Sequence, residues 1–170
     1  MRNLAEWTSY RWKHGAFMSK DKLDKALDEI EAEHLRELRE HYSDKIIQHW
    51  QNPHRLGPIE HADGYARLSN SCGEQVEFWL KIKDDRVVAA SFLCDGCGCT
   101  IACASAAVAI AEDRDVSELS EITPEKIDAD LNGLPSDEKH CAEFAAHVLN
   151  LALLDYLQTR REPWKRKYRK

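Results

Sequence analysis

With 170 residues the chain can hold one domain with a hydrophobic core plus an appendage. Its net charge of −6, from 30 acidic against 24 basic side chains, offers no general electrostatic reason to bind nucleic acid or an anionic membrane surface. No stretch is long and apolar enough to span a bilayer and Met1 to Trp7 carry no signal-peptide core, so a cytoplasmic protein is expected.

Apolar residues at Leu23, Leu27, Ile30, Leu35, Leu38 and Tyr42 recur at helical steps with charge between them, which predicts an amphipathic helix from Ser19, its N-cap, to Tyr42. It packs on its own domain by default, with a partner or self-association surface as the sharper option. Ser43-Asp44 breaks that helix and starts another to Trp50, and the prolines and glycine of residues 51–58 make a turn-rich link. Three strands are expected next, over Tyr65 to Ser69, Val76 to Lys83 and Val87 to Phe92, the last two joined across Asp84-Asp85.

Thr100 to Ala111 is almost uncharged and rich in Ala, Ile and Val, as a helix packed on several sides should be. Short helices are expected over Ser117 to Ile122 and Thr123 to Leu131, the second with threonine as N-cap and Pro124 at its first position. A final helix from Cys141 to Gln158 precedes a locally basic tail, residues 161–170, read as a solvated terminus. Strands followed by helices make an α+β domain, an antiparallel sheet of three strands with helices on one face.

Six cysteines in a reducing compartment argue for metal, cluster or thiol chemistry over a disulfide framework. Cys72 lies in the loop between the first two strands beside Gly73, and Cys97 lies where the third strand meets the buried helix. Cys141 starts the last helix. A helix N-terminus favours thiolate, the soft ligand that zinc and iron–sulfur clusters need. Three loops converging at one sheet end would form a site with three thiolates, with Glu74 and His140 as candidates for an exchangeable fourth ligand. The bland reading, loose cysteines as small buried hydrophobes, stands beside this one. It is the favoured one for Cys94, Cys99 and Cys103, ahead of a sulfur relay or a redox pair. His34, His41, His49 and His54 read as solvated.

Residues 42–57, Ala62 to Gly64, Cys72-Gly73, Phe92 to Gly98 and His140-Cys141 resemble, in order, the signatures of the IscU and NifU amino-terminal scaffold family. The resemblance runs from Tyr42 to Gln158 and implies a scaffold domain over residues 42–160 with the IscU/SufE-like fold, preceded by a helical extension, residues 1–41. It implies that Cys72, Cys97 and Cys141 hold a nascent [2Fe-2S] cluster with Glu74 or His140 beside them. Cys141 is then the persulfide acceptor, in a mobile loop ahead of its helix. Implied partners are a cysteine desulfurase, an electron donor such as a ferredoxin, and apo iron–sulfur acceptor proteins, with a homodimer admissible.

The chain departs from the family at Glu74, where aspartate is usual, and at Leu134 to Glu138, where chaperone-served relatives carry Leu-Pro-Pro-Val-Lys. Residues 1–41 have no counterpart in the simple scaffolds. A scaffold is not an enzyme. The rival reading is a zinc-stabilised, SufU-type sulfur-transfer protein, although the spacing of Cys97 and Cys141 lacks the insertion such relatives carry. Zinc in the isolated protein is compatible with either.

Overall fold

A computed structural model describes residues 20–162 and Trp164. Ser19, the segment Met1 to Trp7 and the tail residues Lys165 to Lys170 lie outside the described residues. The chain divides into two units, Met1–Glu40 and His41–Lys170. In the first, helix α1 (Lys20–His41) carries Leu23, Leu27 and Ile30 as exposed apolar side chains on one stripe.

The second unit opens with α2 (Asp44–Gln51), capped by the Ser43 hydroxyl, which accepts from the Ile46 amide at 3.2 Å. Strands β1 (Gly64–Ser69), β2 (Gln75–Lys83) and β3 (Arg86–Asp95) form one antiparallel sheet in the order β1-β2-β3. Val76, Phe78 and Leu80 alternate inward, and Phe78 stands opposite Phe92 with ring centroids 6.3 Å apart. Such a pair contributes about 1 kcal/mol beyond its area burial. The alternation breaks in β3, where Val87 and Ala90 are both buried although three positions apart. A bulge explains it: Lys81 pairs with Ala89 but Ile82 pairs with Val87, so Val88 is the extra residue and turns outward.

Asp84 and Asp85, both at positive φ, close the β2–β3 hairpin, and Asp85 pairs with Arg160 near the end of the last helix. Helix α3 (Gly98–Ala111) is buried nearly all round, a 3-10 helix (Val116–Glu121) and α4 (Pro124–Asp130) follow, and α5 (Lys139–Arg161) ends the described fold. Thr123 caps α4 with Pro124 at its start. Helix α5 packs on β1 and β2, and α3 packs on β3 and α5, so the core lies between one sheet face and these helices. Gly64 lets β1 and α5 meet closely, since a Cβ there would lie 2.4 Å from the Ala152 carbonyl oxygen.

The link after α2 is pinned rather than loose. Ser105 of α3 accepts from the His54 amide at 2.8 Å and meets His49 Nδ1 at 2.8 Å, while His54 Nε2 lies 2.6 Å from Glu112. His49 and His54, expected to be solvated, are therefore fastening residues that hold α2 and its link to α3. Burial lowers the His49 pKa and keeps its ring neutral. Among the described residues no helix is long and apolar enough to cross a membrane.

Candidate functional site

The β1–β2 loop, the β3–α3 junction and the start of α5 meet at one end of the sheet. The first is set by Asn70, whose side-chain carbonyl accepts from the Cys72 and Glu74 amides, each at 3.0 Å, while Gly73 takes a positive φ. Cys72 is exposed on this turn. Because Gln75 pairs with Asp95, Glu74 comes to lie beside the β3–α3 junction. Its carboxylate accepts from the Cys97 amide at 2.7 Å and from the Asn70 side-chain amide at 2.8 Å.

Cys97 is the N-cap of α3, its sulfur accepting from the Thr100 amide at 3.4 Å, where serine or aspartate would ordinarily sit. Trp50 lies over the next residue, since a Cβ on Gly98 would come within 2.8 Å of its ring. Cys141 is in the first turn of α5, fully buried, with its sulfur 3.9 Å from that of Cys97. The Thr100 hydroxyl sits between them, 3.3 Å from each sulfur and 3.2 Å from both Glu74 oxygens. Glu138 Oε2 lies 3.3 Å from the Cys141 sulfur, and Cys97, Glu138 and Cys141 offer ligand atoms all within 4.8 Å of one another.

The two thiols influence one another's ionisation. Contact with the Cys141 thiol, helped by the Thr100 hydroxyl and amide, holds Cys97 down to about 6 against the opposing effect of burial. The same contact and burial push Cys141 far up. Of the pair, Cys97, the exposed member, is the more readily ionised in the metal-free protein. Lys139 does not assist Cys141, because its ammonium is 2.5 Å from Asp128. His140 does face the thiol: Nδ1 lies 2.9 Å from the Asp137 carbonyl, which can only accept, so in the neutral ring Nδ1 carries the hydrogen and the Nε2 lone pair lies 3.6 Å from the Cys141 sulfur. Burial raises Glu74, but hydrogen bonds from Cys97, Asn70 and Thr100 outweigh it and leave its carboxyl below the usual range.

Of the residues expected at the site, Cys97, Cys141, Glu74 and His140 are thus linked by hydrogen bonds or close contact, while Cys72 stands on the adjacent turn outside the group of Cys97, Glu138 and Cys141. Cys99 and Cys103 are buried in α3, and burial lifts Cys94 and Cys99 to about 12 and Cys103 further. Thr100 and Glu138 were not anticipated. Their signal was local: Thr100 is three residues after the helix-capping Cys97, and Glu138, at the cap position of α5, is three before Cys141 in its first turn.

A three-stranded α+β domain with free thiols and carboxylates gathered at one sheet end defines a class of small protein with donor atoms suited to soft metals. The NifU-like N-terminal domain model matches residues 41–163, and the chain belongs to that family. An iron–sulfur cluster assembly scaffold protein IscU of Archaeoglobus fulgidus is 37% identical over 118 residues, 69% of this chain and 77% of that protein. The corresponding IscU of Aquifex aeolicus is 29% identical over 119 residues, 68% of this chain and 76% of its own. A solved structure from Fervidobacterium islandicum, of a candidate scaffold protein for the SUF system, superposes with a TM-score of 0.50 at 18% identity, covering 66% of this chain and 96% of that one. That likeness concerns the fold.

Proposed function

We propose that this chain is a scaffold on which an iron–sulfur cluster is assembled and then handed on. The observation that carries the reading is the pair of free thiols of Cys97 and Cys141, 3.9 Å apart at the sheet end, in a chain whose relatives are named as such scaffolds. Iron and sulfide are the cargo. Cys72, Cys97 and Cys141 hold it as a [2Fe-2S] cluster, with Cys72 moving inward from its exposed turn.

Sulfur arrives as a persulfide on a cysteine desulfurase. The Cys141 sulfur, giving its proton to His140 Nε2, attacks the outer persulfide sulfur; the donor's sulfur–sulfur bond breaks and its cysteine leaves as thiolate. Because Cys141 is buried, the segment Leu134 to His140 has to open for this step. Cys97, exposed and the more readily ionised of the two, is the alternative entry point, with Cys141 next to it. Two electrons, delivered one at a time by a ferredoxin-type donor, break the persulfide bond to give sulfide and the Cys141 thiolate, and an apo-protein takes the finished cluster.

Anaerobic incubation with ferrous iron, cysteine and a desulfurase tests this reading through iron and acid-labile sulfide analysis and the visible spectrum. Equal iron and sulfide with a [2Fe-2S] chromophore are expected, lost in Cys72→Ala, Cys97→Ala and Cys141→Ala. Zinc alone without sulfide would point to the sulfur-transfer rival, and persulfide found by mass spectrometry only on Cys99 or Cys103 would refute the thiol assignment.

A further inference from the structure

Glu138 is placed where a helix ordinarily puts a capping side chain, yet it caps nothing. Its carboxylate is half-buried and turned instead onto the Cys141 sulfur, at 3.3 Å. Among the described residues it forms no ion pair, and its neighbour Lys139 is committed to Asp128. A carboxylate oxygen beside two sulfurs makes a donor set of one hard and two soft atoms, a set that a borderline divalent metal ion suits.

The separations suit such an ion. Zinc-like bond lengths of about 2.3 Å to sulfur and about 2.0 Å to oxygen give tetrahedral edges of roughly 3.5–3.8 Å. The Cys97–Cys141 and Cys141–Glu138 separations are 3.9 and 3.3 Å, and the whole group fits within 4.8 Å. Glu74 is the poorer ligand despite its proximity, because its oxygens are already engaged by the Cys97 amide, the Asn70 amide and the Thr100 hydroxyl. His140 is exposed, has Nδ1 bound to the Asp137 carbonyl and falls outside the group.

We infer that Glu138, rather than Glu74 or His140, completes a divalent-metal site with Cys97 and Cys141. The inference rests on the scaffold reading and deepens it: the ion is ferrous iron entering the assembly site, held by two soft thiolates and one harder oxygen, with a fourth place open. Cys72 is not needed to hold this first ion. Glu74 is then a positioning residue that ties the Cys72 turn to the Cys97 amide.

Cobalt(II) titration of the reduced, metal-free full chain under anaerobic conditions tests the assignment, since thiolate ligation gives a near-ultraviolet sulfur-to-cobalt band and tetrahedral geometry gives intense visible bands. Glu138→Gln should keep the sulfur-to-cobalt band but weaken cobalt binding by about tenfold or more. Glu138→Cys should raise the band intensity per bound ion by adding a thiolate, a gain that a disturbed fold could not produce. Parent-like affinity in Glu138→Gln with no gain in Glu138→Cys overturns the role of Glu138 and leaves the thiol site standing. A parent with no sulfur-to-cobalt band, or a band that survives both Cys97→Ser and Cys141→Ser, overturns the thiol site as well.

Discussion

If Cys141 and Thr100 hold Cys97 as a thiolate, alkylation of the metal-free protein should single out Cys97 at acid pH. A thiol held at about 6 is half ionised near pH 6, whereas a free thiol at about 8.5 is roughly 0.3% ionised there, a ratio of about 150. The lower basicity reduces intrinsic nucleophilicity by about tenfold for a Brønsted slope near 0.45, leaving Cys97 roughly tenfold ahead of an ordinary thiol. The assay is a timed iodoacetamide pulse across a pH series with mass spectrometry of each cysteine peptide; Cys94, Cys99 and Cys103, all raised by burial, are slow internal references.

Cys141→Ala removes the largest cause and should move the Cys97 midpoint well upward. Thr100→Val should move it less, because the Thr100 amide still caps the sulfur. An unchanged midpoint in Cys141→Ala would refute the role given to Cys141 in lowering Cys97. The same coupling predicts how stability follows pH. Cys97, lowered on folding, contributes stability present above the free-thiol range of about 8.5 and lost as pH falls through about 6. Cys141, raised on folding, contributes below that range and loses the contribution as pH climbs beyond it. The reduced protein should therefore be most stable near the ordinary thiol range and weaken on either side.

Removing residues 1–40 should leave a folded protein that still binds cobalt, because the unit His41–Lys170 contains the sheet, the core and the thiols; loss of the cooperative thermal transition would contradict this. Gly64→Ala should destabilise by about 1–3 kcal/mol in guanidinium unfolding, since its Cβ would press on a backbone carbonyl that cannot rotate away, and an unchanged midpoint would contradict the close packing of β1 on α5. Glu74→Ala leaves the Cys97 amide and the Asn70 side chain without their acceptor, so a loss of about 1–3 kcal/mol and slower cluster transfer are expected. Glu74→Asp should stay near the parent in transfer rate, and a parent-like rate in Glu74→Ala would reduce Glu74 to an ordinary surface acid.

Most of the architecture was legible because its causes are local. The alternation of Val76, Phe78 and Leu80, the Asp84-Asp85 turn, the Thr123-Pro124 start and the uncharged run of α3 each point to their element through periodicity or capping, and the helices and strands fall within a few residues of expectation. The bulge at Val88 and the 3-10 form of Val116–Glu121 were not legible, since each answers to neighbours that only the folded chain supplies.

The same division runs through the site. The sequence alone determined which side chains could carry the chemistry: cysteines at helix starts and on a glycine turn, with an acid and a histidine beside them. Only the tertiary structure decided what those groups do to one another. Cys97 and Cys141 are 44 positions apart, and their 3.9 Å separation follows from α3 packing on α5. That packing puts the Thr100 hydroxyl between the sulfurs, lowers the Cys97 thiol, engages Glu74 as a brace and leaves Glu138 facing the thiols. Proton sharing and ligand geometry change over tenths of an ångström, a scale set by the packing of distant segments and absent from any local pattern of residues.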